Sequence, residues 1–82
     1  MDDITRKDLE RRLKRGDSLR EINMTGLNLD DFNFEGAAFN KCKFSGSSIN
    51  RSNFAFSRFE ACLLNDCEMQ ECNLQESTFV EC

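Results

Sequence analysis

The sequence predicts an all-β solenoid, a four-sided β-helix of about three coils with an α-helical cap at its N-terminal end. Every fifth residue from position 19 to position 79 is large and apolar. From position 37 onward, the residue two places before each of these is small. A charged segment with helical spacing precedes the repeat. We therefore expect residues 1–20 to form a capping helix and connector, and residues 21–82 to form the solenoid, either as a whole protein or as a segment of a longer one.

The N-terminal segment has the features of one helix over about residues 5–15. Thr5 can act as its N-cap, with Asp8 three residues later as the capping-box partner. Leu9 and Leu13 lie four residues apart and give the helix a narrow apolar face. A glycine follows two basic residues at the end of the segment, which is typical of a helix C-terminus. The basic helix has too small an apolar face for stable membrane insertion, so we expect a capping role.

A period of five residues excludes both regular secondary structures for the rest of the chain. On an α-helix, five residues turn about 500°, so the large residues would spread around the whole cylinder. On a flat strand, an odd step sends successive large residues to opposite faces. A chain that turns a corner every five residues avoids both problems. Four such sides close a coil of about twenty residues, and coils stack about 4.8 Å apart through parallel β-type hydrogen bonds.

The large residues of the repeat form the predicted core, in which members twenty positions apart lie directly above one another. Each is worth roughly 1.5–3 kcal/mol when buried, so about a dozen give a small but sufficient core. These structural core residues are Met24, Leu29, Phe34, Phe39, Phe44, Ile49, Phe54, Phe59, Leu64, Met69, Leu74 and Phe79.

The first coil departs from the small-residue rule, since Ile22, Leu27 and Phe32 stand where later coils have small residues. We interpret these three as a widened apolar floor that contacts Leu9 and Leu13 of the helix. Terminal repeats of solenoids are expected to be atypical in this way. The contacts of the predicted cap therefore centre on Leu9, Leu13 and Phe32.

The segments FNKCKFSGSSINRSNFAFSRF and CLLNDCEMQECNLQESTF carry a large apolar centre with a small residue two places before it. This pattern resembles the pentapeptide-repeat family, over about residues 22–82. The preceding LERRLKRGDSLREINM resembles the short helix that caps the N-terminal end of many members. The resemblance implies a right-handed quadrilateral β-helix. It does not imply one function, because members of the family serve varied roles.

All five cysteines fall at the inward, small-residue positions of the repeat, and their spacing of five or more differs from the spacing of a zinc knuckle. We expect free thiols that pack as small hydrophobic groups. Cys42, Cys62 and Cys82 are predicted to stack in one file, at a separation that a disulfide would allow. A disulfide and a thiol-based metal or redox module therefore remain alternatives.

Nothing in the sequence indicates catalysis. The chain has no His, and it has no Gly-rich phosphate loop or nucleophile motif. We expect no enzymatic activity, no catalytic residue, no metal site and no cofactor. No run of about 18 apolar residues is present, and the charged N-terminus lacks an apolar signal region, so we expect a cytoplasmic protein or one exported by a route that this segment does not encode.

Charge is unevenly distributed along the chain. Residues 1–20 carry a net charge of +2, and residues 21–82 carry −6. No basic residue follows position 58, which leaves a predicted acidic surface in the last third of the chain. Its members are Glu60, Asp66, Glu68, Glu71, Glu76 and Glu81. A nucleic-acid-binding surface normally has the opposite sign, so we expect no direct binding of DNA or RNA.

These features favour a non-catalytic scaffold that presents a rigid surface to a protein partner, or a solenoid module of a larger protein. Phe56, Leu63 and Val80 fall at outward positions and are candidate partner contacts, although scattered exposed apolar residues are also normal. The uncovered C-terminal coil could mediate self-association. The alternative function is an acidic, DNA-mimicking regulator of a DNA topoisomerase, because some pentapeptide-repeat proteins that protect DNA gyrase resemble a DNA duplex in charge and width. The basic residues Lys41, Lys43, Arg51 and Arg58 interrupt any continuous acidic face.

Overall fold

Short parallel strands that recur every twenty residues dominate the computed structural model, which describes residues 2–82. In chain order the elements are β1 (Asp2–Asp3), α1 (Arg6–Lys14), β2 (Leu19–Arg20), β3 (Ile22–Asn23), β4 (Ala38–Asn40), β5 (Arg58–Glu60) and β6 (Thr78–Val80). Strands β2, β4, β5 and β6 form one parallel sheet in that order, and β1 pairs with β3. Within the described residues, no helix is long and apolar enough to span a membrane.

The twenty-residue register is present on every side of the molecule. On the sheet side, Phe39 pairs with Leu19 and with Phe59, and Phe59 pairs with Phe79. Isolated parallel bridges with the same spacing mark the other three sides, at Asn23↔Lys43↔Leu63, Asn28↔Ser48↔Glu68 and Asn33↔Asn53↔Asn73. Successive coils therefore stack in register, as the five-residue period predicts.

The corners between the sides repeat every five residues, because the second residue after each large core residue adopts a left-handed backbone. Gly26, Gly36 and Gly46 occupy this position with φ near +70°. Ten other corners carry a side chain in the same conformation, among them Asp31 and Phe56. Left-handed backbone costs an L-residue roughly 1–2 kcal/mol, so stacking and burial hold these corners in place.

The interior is built from stacked side chains of the repeat. Eight of the predicted core residues are at most 2% exposed: Met24, Leu29, Phe34, Phe39, Phe44, Ile49, Phe54 and Phe59. The rings of Phe34 and Phe54 stack with centroids 4.6 Å apart, and the rings of Phe39 and Phe59 stack 4.8 Å apart. Offset or edge-to-face ring contacts add stability beyond the buried area alone.

The last coil departs from the predicted core. Leu64 and Met69 are only half-buried, and Leu74 and Phe79 are 47% and 38% exposed. Leu64 and Met69 pack against the core, and Phe79 stacks on Phe59 at 4.8 Å. No further coil lies above them within residues 2–82, so one face of each side chain meets solvent. The repeat predicts which side chains point inward, whereas their burial depends on neighbours on both sides.

Helix α1 packs against the first coil (residues 21–40). Thr5 caps it, since its Oγ1 accepts a hydrogen bond from the backbone N–H of Asp8 at 3.2 Å. Leu9 is fully buried in the core, Leu13 is half-buried against it, and Phe32 is 6% exposed. The capping-box return bond is not formed, because the Asp8 carboxylate pairs with Arg11 at 2.5 Å.

Arg6 attaches the start of the helix to the first coil, a contact that the sequence does not predict. Its guanidinium donates to the carbonyl oxygens of Asn28 and Asp30, each at 3.0 Å. Its Cζ atom also lies 5.0 Å from the centre of the Phe32 ring, within the range of a cation–π contact. The partners are more than twenty residues away in sequence, so no local pattern signals them.

The small polar residues of the interior have hydrogen-bond partners. Ser52 is 1% exposed; its Oγ donates to the carbonyl of Leu29 at 2.9 Å and accepts from the backbone N–H of Phe32 at 3.2 Å. The thiols of Cys67 and Cys72 donate in the same way to carbonyls of the coil below. Inward polar atoms therefore bond neighbouring coils together.

We expect Ser52→Ala to lower the free energy of unfolding by about 1–3 kcal/mol, because it leaves a buried N–H and a buried carbonyl without this partner. Urea denaturation followed by circular dichroism measures the change. Ser45→Ala, whose half-buried hydroxyl lies on the outside and bonds Asn65, is the control and should change stability by less than about 0.5 kcal/mol. Equal losses in the two variants would contradict the role of Ser52.

Candidate interaction surface

Phe56 is the most unusual side chain on the outside of the solenoid. It is 53% exposed and occupies a corner with φ of 59°. The other seven phenylalanine rings all contact another ring, whereas Phe56 contacts none. The corner below it is Gly36 and the corner above it is Glu76, as the hydrogen bonds from Gly36 N to Ala55 O and from Phe56 N to Gln75 O show.

Leu63 and Val80, the other candidate contacts, do not join Phe56 in one patch. Leu63 is 53% exposed, but β5 and the corner at Ala61 separate it from Phe56, so the two residues lie on different sides of the coil. Val80 is only half-buried and not fully outward, because it ends β6 and pairs with Glu60. The candidate apolar contacts are therefore separate points.

We expect Phe56→Asn to raise the free energy of unfolding by about 0.5–1 kcal/mol. Asn adopts left-handed backbone more readily than Phe, and little buried contact is lost at this exposed corner. Asp66→Asn, at a corner with φ of 60°, is the matched control and should change little. Thermal and urea unfolding measure both variants, and a loss of stability in Phe56→Asn would contradict the interpretation of a strained corner.

The predicted acidic residues all lie on the outer surface. Asp66, Glu68, Glu71, Glu76 and Glu81 are exposed and Glu60 is half-buried. Glu60 is partly neutralised, since Arg58 pairs with it at 3.2 Å and Asn40 donates to it at 3.3 Å. The acidic surface is thus concentrated in the last coil (residues 61–80) and its flanks.

A file of charged residues outside this acidic surface links the first two coils. Arg51 contacts Asp31 with two nitrogens, at 3.0 and 3.3 Å, and this contact raises the pKa of Arg51. Next to it, the Ser48 hydroxyl and then the Asn50 N–H lower the pKa of Asp30. These carboxylates stabilise the stacking of adjacent coils, so they differ in role from the unpaired acidic residues of the last coil.

The cysteines occupy inward positions with graded exposure. Cys42 and Cys62 are buried, Cys67 and Cys72 are half-buried, and Cys82 is exposed, all as free thiols. Cys42 and Cys62 occupy the same position in neighbouring coils, and the interaction between their thiols raises the pKa of Cys62 and lowers the pKa of Cys42 to about 7. Removing a second proton from this pair is therefore strongly disfavoured. Within residues 2–82, no three His, Cys, Asp or Glu side chains are grouped to hold a metal ion.

We expect a maleimide or other thiol reagent to modify Cys82 first and to leave Cys62 unmodified until the protein unfolds. Thiol reactivity follows exposure and thiolate population. At Cys62 burial limits access, and the Cys42 thiol together with burial raises the pKa, so the thiolate is scarce. Mass spectrometry of partially labelled protein, with and without urea, measures the order. Labelling of Cys62 at the rate of Cys82 under native conditions would contradict it.

Two surface clefts flank α1. One, of about 390 Å³, lies between the helix and the first coil and is lined by residues that include Arg6, Leu13 and Phe32. The other, of about 450 Å³, is bordered by Asp3, Arg11 and neighbouring charged side chains. Both are open to solvent and follow from the packing of the helix on the first coil.

Comparison with known proteins bears directly on this architecture. The family model for pentapeptide repeats matches residues 18–54 with eight copies. A pentapeptide repeat protein (Rfr23) from the cyanobacterium Cyanothece 51142 has a similar solved structure, with a TM-score of 0.59 and 15% sequence identity. The match covers 74% of this chain and 46% of that one. No curated protein matches the sequence.

The two comparisons agree with the stacked coils and with the resemblance seen in the repeat. The matched structure shares the fold, which is a right-handed β-helix, and at this identity the likeness concerns the fold alone. The family match begins at the connector before the first coil, and the twenty-residue register continues beyond it to Phe79. The chain is therefore similar to pentapeptide-repeat proteins in sequence over residues 18–54 and in fold over most of its length.

Proposed function

We propose that this protein is a non-catalytic scaffold that presents a rigid outer surface to a protein partner. In this proposal residues 21–82 form a solenoid module of about three coils, and residues 1–20 form the cap and connector that cover its N-terminal end. The burial of Leu9 in the core and the anchoring of Arg6 on the first coil support the capping role.

The main support for the proposal is the contrast between interior polar groups that are hydrogen-bonded and an outer surface that is regular and exposed. Within residues 2–82, no buried side-chain nitrogen or oxygen lacks a hydrogen-bond partner. The interior polar groups thus hold the stacked coils together. The side chains that remain for contact with a partner are those at the outward positions. A surface held by stacked coils loses little conformational entropy when a partner binds, which favours recognition.

The proposal is tested by comparing wild-type protein with surface variants as bait in the source cell extract. We expect a partner retained by wild-type protein and by Lys41→Ser to be lost from a Phe56→Ser, Leu63→Ser double variant that folds normally. Retention of the same proteins by wild type and by a urea-unfolded sample would contradict the proposal, because an unfolded chain lacks the surface.

We further propose that the protein is cytoplasmic, or is exported by a route that this segment does not encode. Five free thiols are compatible with the reducing cytoplasm.

Self-association is a second form of the same proposal. Leu74 and Phe79 expose apolar surface at the last coil, and the strand edge there offers unpaired backbone groups to a second copy. Light scattering and sedimentation over a range of concentrations measure this directly. A monomer at high concentration would contradict self-association. Binding to a different protein would then be the remaining form of the proposal.

A regulator of a DNA topoisomerase is the alternative, and the unpaired carboxylates of the last coil support it. Against it, the pairs Arg51–Asp31 and Arg58–Glu60 interrupt the acidic surface. Residues 2–82 also measure 28 × 27 × 25 Å, which is not the elongated shape of a duplex mimic. A supercoiling assay with DNA gyrase decides between the two functions, since a mimic changes the rate at stoichiometric protein and a scaffold does not.

A further inference from the structure

Three cysteines lie one above another on the inner side of the solenoid, and we call them the cysteine file (Cys42, Cys62 and Cys82). Glu60 pairs with Val80 in the sheet, and Cys62 and Cys82 each follow two residues later. The same register places Cys42 below Cys62. Stacked residues of parallel strands lie about 4.8 Å apart, and a disulfide spans Cα separations of roughly 4.4–6.8 Å. The backbone spacing of the file therefore permits a disulfide.

The sulfur of Cys82 is directed toward the level of Cys62. Its Sγ lies 3.5 Å from the carbonyl oxygen of Phe59, which belongs to β5, and 3.5 Å from that of Val80. The Sγ of Cys62 lies 3.5 Å from the carbonyl oxygen of Glu60, the last residue of β5. Both sulfurs are thus beside the end of the same strand, and a change of rotamer at Cys62 turns its sulfur toward that of Cys82.

Exposure within the file selects Cys82 as the first thiol to react. Cys42 and Cys62 are at most 1% exposed, whereas Cys82 is exposed. Peroxides oxidise accessible thiols in preference to buried ones. An oxidant therefore reaches the file from Cys82, and Cys62 is the thiol directly beneath it.

The two remaining cysteines have no thiol directly below them. Ser47 lies twenty residues before Cys67, and its hydroxyl is 3.6 Å from the Cys67 sulfur. Ser52 holds the corresponding position beneath Cys72, whose thiol donates to the carbonyl of Ile49 at 3.0 Å. Among the described residues, stacked thiols therefore occur in the cysteine file alone.

We propose that hydrogen peroxide joins Cys62 and Cys82 in a reversible disulfide, which closes the last coil into a covalent ring. The Cys82 sulfur attacks the O–O bond and takes up one oxygen as a sulfenic acid, and the other oxygen leaves as water. The Cys62 sulfur then attacks the sulfenic sulfur, the S–S bond forms, and the hydroxyl group leaves with the Cys62 proton as a second water. The two thiols lose two electrons in total, which reduce one peroxide. Excess low-molecular-weight thiol reverses the bond.

The second step sets the rate of closure. The Cys42 thiol and burial raise the pKa of Cys62, so its thiolate is scarce and its attack is slow. The sulfenic acid of Cys82 therefore accumulates before the disulfide forms.

The bond acts on the last coil, which has a neighbouring coil on one side only within residues 2–82. Leu74 of this coil is 47% exposed. The disulfide joins Cys62, near the start of the coil, to Cys82, which follows it. A cross-link of this kind restricts the unfolded form of the enclosed loop. We therefore expect the last coil to open less often in the oxidised protein.

The test treats wild-type protein with a small molar excess of hydrogen peroxide, blocks the remaining thiols with iodoacetamide and maps disulfides by mass spectrometry without reduction. We expect Cys62–Cys82 as the main linkage within one chain, and its loss after addition of dithiothreitol. Cys62→Ala should stop at the sulfenic acid of Cys82, which dimedone traps, and Cys82→Ser should form neither product. Cys72→Ser is the matched control and should still form the bond. Circular dichroism confirms that each variant is folded.

Three results of this mapping would overturn the proposal. They are a main linkage through Cys42, Cys67 or Cys72, a disulfide between two chains alone, and the absence of any disulfide in folded wild-type protein. Formation of the Cys62–Cys82 bond in the wild type and in Cys72→Ser supports it.

Hydrogen exchange tests the consequence for the last coil. The amides of Glu68 and Asn73 donate to carbonyls of the coil below, each at 3.1 Å, and should exchange about three- to tenfold more slowly after oxidation. The amide of Ser48 in the second coil is the control and should be unchanged, as should every amide in peroxide-treated Cys82→Ser. A disulfide without slower exchange in the last coil would refute the closure of that coil.

Discussion

Phe59→Ala is expected to lower the free energy of unfolding by about 3–5 kcal/mol, a large part of the stability of a domain of this size. Phe59 is fully buried, and its ring stacks between the rings of Phe39 and Phe79, each 4.8 Å away. Truncation leaves a cavity in the middle of this file that neither neighbour can fill without breaking its own coil. Urea denaturation followed by circular dichroism measures the loss.

Two further variants keep this experiment informative if Phe59→Ala does not fold. Phe59→Leu retains most of the side-chain volume and should cost a smaller but measurable amount. Phe79→Ala removes the same group from the same file, but Phe79 is 38% exposed and stacks on one ring, so we expect less than half the loss. Losses of equal size at Phe59 and Phe79 would show that the file is not the core of the fold.

Leu9→Ala is expected to lower the free energy of unfolding by about 2–5 kcal/mol, because Leu9 is fully buried against the first coil. Alanine is a better helix former than leucine, so α1 itself is not weakened by the change. The loss therefore reports the packing of the helix on the solenoid. Hydrogen exchange should also become faster at the amides of the first coil, such as that of Phe32, once the covering helix is loosened.

The control for this prediction is Lys7→Ala on the exposed side of the same helix, which should change stability by less than about 0.5 kcal/mol. Equal stabilities of Leu9→Ala and Lys7→Ala would contradict the capping role of α1. If Leu9→Ala lowers stability without faster exchange in the first coil, then α1 does not protect that coil, and Leu9 stabilises only the attachment of the helix.

Only part of the candidate surface could be predicted from the sequence. The repeat register assigns Phe56 and Leu63 to outward positions, and both are exposed in the structure. It does not show that a corner and a side of the coil separate them, or that the corner at Gly36 lies directly below the corner at Phe56. These relations depend on stacking between residues twenty apart, together with the left-handed backbone that turns each corner.

What the sequence determined by itself is the architecture, because a period of five residues is compatible with neither a helix nor a flat strand and requires a corner at each step. The same period identified the inward residues and the position of the stacked files. The tertiary structure decided how deeply each is buried, since burial requires a coil on both sides. It also decided the anchoring of α1, because Arg6 binds carbonyl oxygens that only the closed first coil brings within reach.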